Sequence, residues 1–142
     1  MEDDKHQQAE FVYEMQILER HLDSLGHVNN ATYLEIYEEA RWDILTKSDR
    51  GVDYIQKNKI GPVVLDLQIT YKKELRNREQ IQVKSHFVGH KNKLVMSFHQ
   101  EIYNRENQLV SNIDLSIGVM DLEKRKLVTP SADWIAAIGG AS

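Results

Sequence analysis

The chain has no cysteine. A disulfide framework and a thiolate metal site are therefore excluded, and a reducing compartment is expected. No excess of basic residues is present either: the formal net charge is −4. That argues against nucleic acid as a partner. No apolar run approaches the roughly 18 residues of a membrane span. The opening "MEDDKHQQ" lacks the basic-then-apolar pattern of a secretory signal, so a cytoplasmic protein is expected. With only two prolines and seven glycines, no linker, repeat or low-complexity segment divides the chain. Its 142 residues, 41% of them hydrophobic, are enough for one domain with a real core. Residues 1–9 read as a flexible tail and 10–142 as the domain.

Two periods divide what is present. Phe11, Tyr13, Met15 and Ile17 alternate, predicting a strand to about Arg20. From Ala31 the period becomes helical: Tyr33, Tyr37, Ala40 and Ile44 form a stripe that Leu34 and Leu45 widen. Thr32 and Glu35 fit a capping box at its start. The helix runs to Thr46 or Lys47, where "KSDRG" punctuates it. Alternation then returns in four segments: Val63–Tyr71, Ile81–Phe87, Leu94–Tyr103 and Leu109–Val119. "GHKNK", "NREN" and "DLEKRK" supply turns, and a short helix near Ser131–Ile138 closes the chain. Short turns favour antiparallel pairing, and the helix must bury its stripe on the one sheet available. The fold class is α+β, with a five-stranded antiparallel sheet and one long helix.

Between the first strand and the helix lies "DSLGHVNN" (Asp23–Asn30). An acid, a glycine, a histidine and two asparagines at this point have two readings. Asp23 can shape the turn and Asn29 or Asn30 can cap the helix, with no chemistry. Alternatively, a carboxylate beside a helix N-terminus can activate water or attack a carbonyl, while free N–H groups receive the developing negative charge. The two are compatible, because a cap fixes the same N–H groups. His27 reads as a turn residue or pocket lining.

The order of elements, together with "HLDSLGHVNNATYLEIYEEARWDIL" (His21–Leu45), resembles the hydroxybenzoyl-CoA thioesterase-like family of hotdog folds. Within it the closest likeness is to the long-chain acyl-CoA thioesterase III type. "ITYKKEL" and "DLEKRKLVTP" match more loosely. The resemblance implies a single hotdog domain whose sheet wraps around a central helix, and hydrolysis of medium- or long-chain fatty acyl-CoA without metal or other cofactor. It implies Asp23 as nucleophile or general base, and the Asn30 backbone N–H as donor to the thioester carbonyl. A five-stranded sheet covering one helix leaves apolar surface and open edges, so a homodimer, alone or paired into a homotetramer, is expected. His27 and Tyr33 are counted with the substrate-binding residues. Coenzyme A is polyanionic, so Lys72, Lys73, Lys91 and Lys93 are its candidate phosphate contacts. Two departures stand out: Ser24-Leu25-Gly26 at the motif's centre, and Glu74 where that type usually carries proline.

Glu38 and Glu39 offer a second carboxylate, but Glu39, like Glu35, lies off the core stripe, and Arg41 is placed to pair with Glu38. The six histidines form no metal-binding spacing, and no phosphate loop or nucleophile elbow is present. The alternative function is a non-catalytic acyl-CoA- or acyl-carrier-binding protein on the same scaffold. A hotdog dehydratase would require a catalytic histidine motif that is not found.

Overall fold

The computed structural model describes residues 10–141; the expected tail over 1–9 lies outside them. Six strands form one antiparallel sheet: β1 (Glu10–Gln16), β2 (Ile60–Tyr71), β3 (Gln80–His90), β4 (Val95–Tyr103), β5 (Leu109–Asp121) and β6 (Lys126–Val128). Their order is β1-β3-β4-β5-β2, with β6 pairing the end of β5 beyond β4. Three helices accompany them: α1 (Asn30–Lys47), α2 (Val52–Asn58) and α3 (Ala132–Ala137). This is the expected hotdog arrangement, with α1 against one face of the sheet. It has one more strand than expected, because three residues of β6 are too few to show a period. No helix among the described residues is long and apolar enough to cross a membrane.

Local chemistry explains the boundaries. The first strand stops at Gln16, short of Arg20, because Glu19–His21 form a 3₁₀ turn. That turn is closed by the backbone N–H of Leu18 donating to His21 Nδ1 at 2.8 Å. The helix α1 begins at Asn30, and its cap is Asn29, one of the two asparagines read as caps, rather than Thr32 of the expected capping box. Asn29 Oδ1 accepts from the Ala31 N–H at 2.8 Å. Helix α2 was not anticipated: two turns after Gly51 carry too little periodicity. In β2, Pro62 is tolerated because the strand lies at the sheet edge. A bulge between Val64 and Asp66 interrupts the strand's alternation.

The α1 stripe buries Tyr33, Ile36, Tyr37, Ala40, Ile44 and Leu45 against Val83, Phe98, Ile102, Ile113 and Leu115. Each large apolar side chain buried in this way contributes about 1.5–3 kcal/mol. A polar seam runs through the layer. Tyr37 donates to Ser111 Oγ at 2.8 Å. Gln100, fully buried, donates to the Tyr37 carbonyl and to Ser85 Oγ, and accepts from Arg41 Nη1 at 2.9 Å. The expected Arg41–Glu38 pair is therefore replaced by a helix-to-sheet bond. Glu38 accepts from Trp42 Nε1 instead.

The opposite face of the sheet carries a chain of titratable groups. Tyr103 donates to Glu101 Oε1 at 2.7 Å. His99 lies between Glu101 Oε2 (3.0 Å, to Nε2) and Asp114 Oδ1 (2.7 Å, to Nδ1). Burial pulls His99 downward, but the hydrogen bonds and charges of the two carboxylates outweigh it and raise the pKa above the ordinary 6.5. Burial pushes Glu101 upward, and the bonds from Tyr103 and His99 bring it below 4.5. A raised histidine stabilises the fold fully below its unfolded value and ceases to do so as pH rises through its folded value. A depressed carboxylate stabilises above its unfolded value and loses that as pH falls. Both contributions coexist between 4.5 and 6.5. The urea midpoint difference between wild type and His99→Gln should therefore be largest near about pH 5.5 and shrink by about pH 9. A difference that grows with pH would contradict this assignment.

Candidate functional site

The turn before α1 is built by Asp23. Its N–H donates to the His27 carbonyl at 2.8 Å, and the Gly26 N–H donates to the Asp23 carbonyl at 3.1 Å. The side-chain oxygen Oδ1 accepts from Leu25 N–H at 2.9 Å and His27 N–H at 3.2 Å. Gly26 sits at φ +84°, in the left-handed region that the turn requires and glycine enters without strain. A bridge between Leu22 and Val28 closes the loop. The turn reading of Asp23 is thus correct for one of its oxygens. Among the described residues, Oδ2 has no partner.

The helix start is equally economical. Asn29 takes three N–H groups: Ala31 on its side chain, and Thr32 (2.9 Å) and Tyr33 (3.3 Å) on its carbonyl. The N–H of Asn30 has no acceptor among the described residues. It therefore points the positive end of an 18-residue helix at whatever lies in front of it.

A cavity of about 620 Å³ borders this helix start. It gathers Asp23, His27, Asn30, Tyr33, Lys72 and Lys73, six of the eight residues singled out from sequence. Tyr71, which the sequence reading placed only on a strand, joins them. The Tyr71 hydroxyl donates to the Asn30 carbonyl at 3.2 Å, and its ring meets Tyr33 edge-on with centroids 5.0 Å apart. These contacts tie the first turn of α1 to the end of β2. Glu74 Oε1 lies 2.8 Å from His27 Nδ1. The remaining two residues are elsewhere in the chain. Lys91 bends over the outer face of the sheet to Ser116 Oγ at 2.5 Å, and Lys93 is exposed in the β3–β4 turn.

A second, apolar cavity of about 190 Å³ runs beside the later half of α1. Trp42, Leu45, Val64, Phe98, Ile117 and Ile138 line it, with Glu38 and Arg41. No sequence signal marks these residues as a group, because they come from separate elements. Glu39 is not in either cavity. It accepts from the Tyr13 hydroxyl, whose pKa burial and that bond together push up to about 12. Nine residues along the helix, it is roughly 13 Å from Asn30. Among the described residues no group of three histidine, aspartate or glutamate side chains is placed to hold a metal ion.

Comparison with known proteins adds three findings. The sequence model of the thioesterase-like superfamily matches residues 17–138. The long-chain acyl-CoA thioesterase FadM of Escherichia coli (strain K12) is 31% identical over 106 residues, which are 75% of this chain and 80% of that protein. Two solved structures share the fold. The DHNA-CoA thioesterase of Staphylococcus aureus has a TM-score of 0.79 at 22% identity, covering 90% of this chain and 87% of that one. Slr0204, a 1,4-dihydroxy-2-naphthoyl-CoA thioesterase from Synechocystis, has a TM-score of 0.81 at 19% identity, covering 92% and 96%.

Proposed function

This chain belongs to the thioesterase-like superfamily, and we propose that, as a cytoplasmic thioester hydrolase, it converts medium- and long-chain fatty acyl-CoA to free acid and CoA. The supporting observation is that Asn30, whose helix N-terminal N–H is unspent, and Asp23, which keeps one carboxylate oxygen unspent, line one cavity with two lysines. In this reading the Asn30 N–H donates to the thioester carbonyl oxygen and holds the charge it acquires. Asp23 either attacks the carbonyl carbon or removes a proton from the attacking water. Lys72 and Lys73 attract the CoA phosphates. FadM, named as a long-chain acyl-CoA thioesterase, supports the acyl class.

The acyl chain would occupy the apolar slot, and the slot's position supports a shared site. The cavity lies at the start of α1 and the slot beside its second half, so one chain holds the two apart. Strand β2 spans the same interval, with Pro62, Val63 and Val64 at the slot and Tyr71 at the cavity. It lies at the sheet edge with Val64, Leu65, Leu67 and Tyr71 exposed. Pairing two β2 edges about a two-fold axis sets the cavity end of one copy against the slot end of the other. The functional unit in this proposal is a homodimer, alone or paired into a tetramer. Lys91 and Lys93 would reach CoA only from another copy.

Three measurements test the reading. Thiol release from a panel of acyl-CoAs should show kcat/KM rising with chain length, by at most about 0.8 kcal/mol per buried methylene, until the slot is full. Equal efficiency on acetyl-CoA and C12–C16 substrates would remove the long-chain assignment, and binding without thiol release would leave only an acyl-CoA-binding protein. Asp23→Asn should lower turnover by roughly 10²–10⁴ while substrate binding survives. A thermal melt on the same preparation, shifted by about 1 kcal/mol or less, separates this from loss of fold. Sedimentation should show a dimer or tetramer, and a stable monomer at micromolar concentration would defeat the shared site.

A further inference from the structure

On the acyl-CoA reading above, we infer that His27 donates the proton that the departing CoA thiolate requires, and that Glu74 is the residue positioning it. His27 lines the cavity beside Asp23 and Asn30. A carboxylate oxygen 2.8 Å from Nδ1 is attractive only when that nitrogen carries hydrogen. Glu74 therefore assigns the Nδ1 proton and leaves Nε2 as the ring nitrogen whose protonation can change. The backbone N–H of the same residue is bound by Asp23 Oδ1. The acid and the carboxylate are thus held by one turn.

The chemistry balances. When the tetrahedral intermediate collapses, the carbonyl re-forms and the C–S bonding electrons leave with sulfur. The Nε2 proton passes to sulfur, giving the thiol and a neutral His27 whose Nδ1–H still faces Glu74. Asp23, having taken a proton from water, returns one to His27 through solvent, and the product acid ionises. A CoA thiol, an alkyl thiol no more acidic than a cysteine side chain at about 8.5, is mostly protonated at neutral pH, so the proton must be supplied at this step or soon after it.

The side chains of His27 and Glu74 are 54% and 71% exposed. A pair this open adds little to stability, so its removal leaves a folded enzyme to assay. The test compares two substrates with the same acyl group: dodecanoyl-CoA, and the dodecanoyl thioester of an acidic nitrothiophenol that leaves without a proton. His27→Gln should lower kcat on the CoA ester by about 10–100-fold, at or below the low end of general-acid effects because a thiolate leaves readily. Glu74→Ala should cost about 5–10-fold on that ester, and Glu74→Gln should recover part of it, since an amide oxygen still accepts from Nδ1–H. KM should hold, and the aryl thioester should be hydrolysed by every variant within about 2-fold of wild type. Equal losses on both substrates would mean that the pair only holds Asp23 in place, and would overturn the proton-donor role. Undiminished kcat on the CoA ester would overturn the role of both residues. If wild type releases thiol from the aryl ester but from no acyl-CoA, the acyl-CoA reading itself has failed.

Discussion

An α-helix cannot satisfy its own first N–H groups, and the candidate site depends on how α1 meets that constraint. Asn29 accepts from Ala31 and Thr32 besides taking the first intrahelical bond from Tyr33, and the Asn30 N–H has no acceptor among the described residues. Had the capping box at Thr32 and Glu35 formed, the helix would begin later. Asn30 would then lie in the preceding loop, its N–H no longer aligned with the helix axis. Two or three residues of helix start therefore separate the proposed oxyanion donor from an ordinary loop amide. The contacts of Tyr33 and Tyr71 with the first turn matter for the same reason: they hold the amide to the end of β2, where the lysines are.

The buried polar seam serves the same end from the core. A helix packed on a sheet by apolar contacts alone can rotate at modest cost, since one hydrophobic neighbour replaces another. Gln100 bonds the Tyr37 carbonyl, Ser85 and Arg41, and Tyr37 bonds Ser111. Rotation would leave several of these groups buried and unpaired, at about 1–3 kcal/mol each. The seam thus fixes which face of α1 meets the sheet. It also fixes where Trp42 and Leu45 stand relative to the slot.

Legibility in the sequence followed the length of each signal. The long strands and α1 were readable because a period of two or of 3.6 persists over many residues. Helix α2 and strand β6 were not, since seven and three residues complete too few periods. Two caps were readable, Asn29 or Asn30 and the Thr32-x-x-Glu35 box, because both satisfy the pattern; only backbone geometry chooses Asn29. Arg41 was paired with its helical neighbour Glu38 because the sequence shows i,i+3 spacing but not Gln100 on a distant strand. Within the site, Asp23, His27 and Asn30 came from one local stretch, and Lys72 and Lys73 from a charge argument. Tyr71 and the slot residues carried no local mark, because their grouping is produced by topology.

The charge inventory of the cavity shows why one stretch can be both turn and site. Asp23 and Glu74 face His27, Lys72 and Lys73, so fixed charges of both signs line one cavity. A strongly basic cavity would hold the CoA phosphates tightly but would also stabilise the carboxylate of Asp23 against accepting a proton. A strongly acidic one would repel the substrate. Balanced charge instead leaves the local discrimination to direction. Asp23 spends Oδ1 on the turn and keeps Oδ2 free, while Asn30, whose N–H has no acceptor among the described residues, lines the same cavity. The structural role does not compete with the proposed chemical one, because a carboxylate has two oxygens and the turn needs only one.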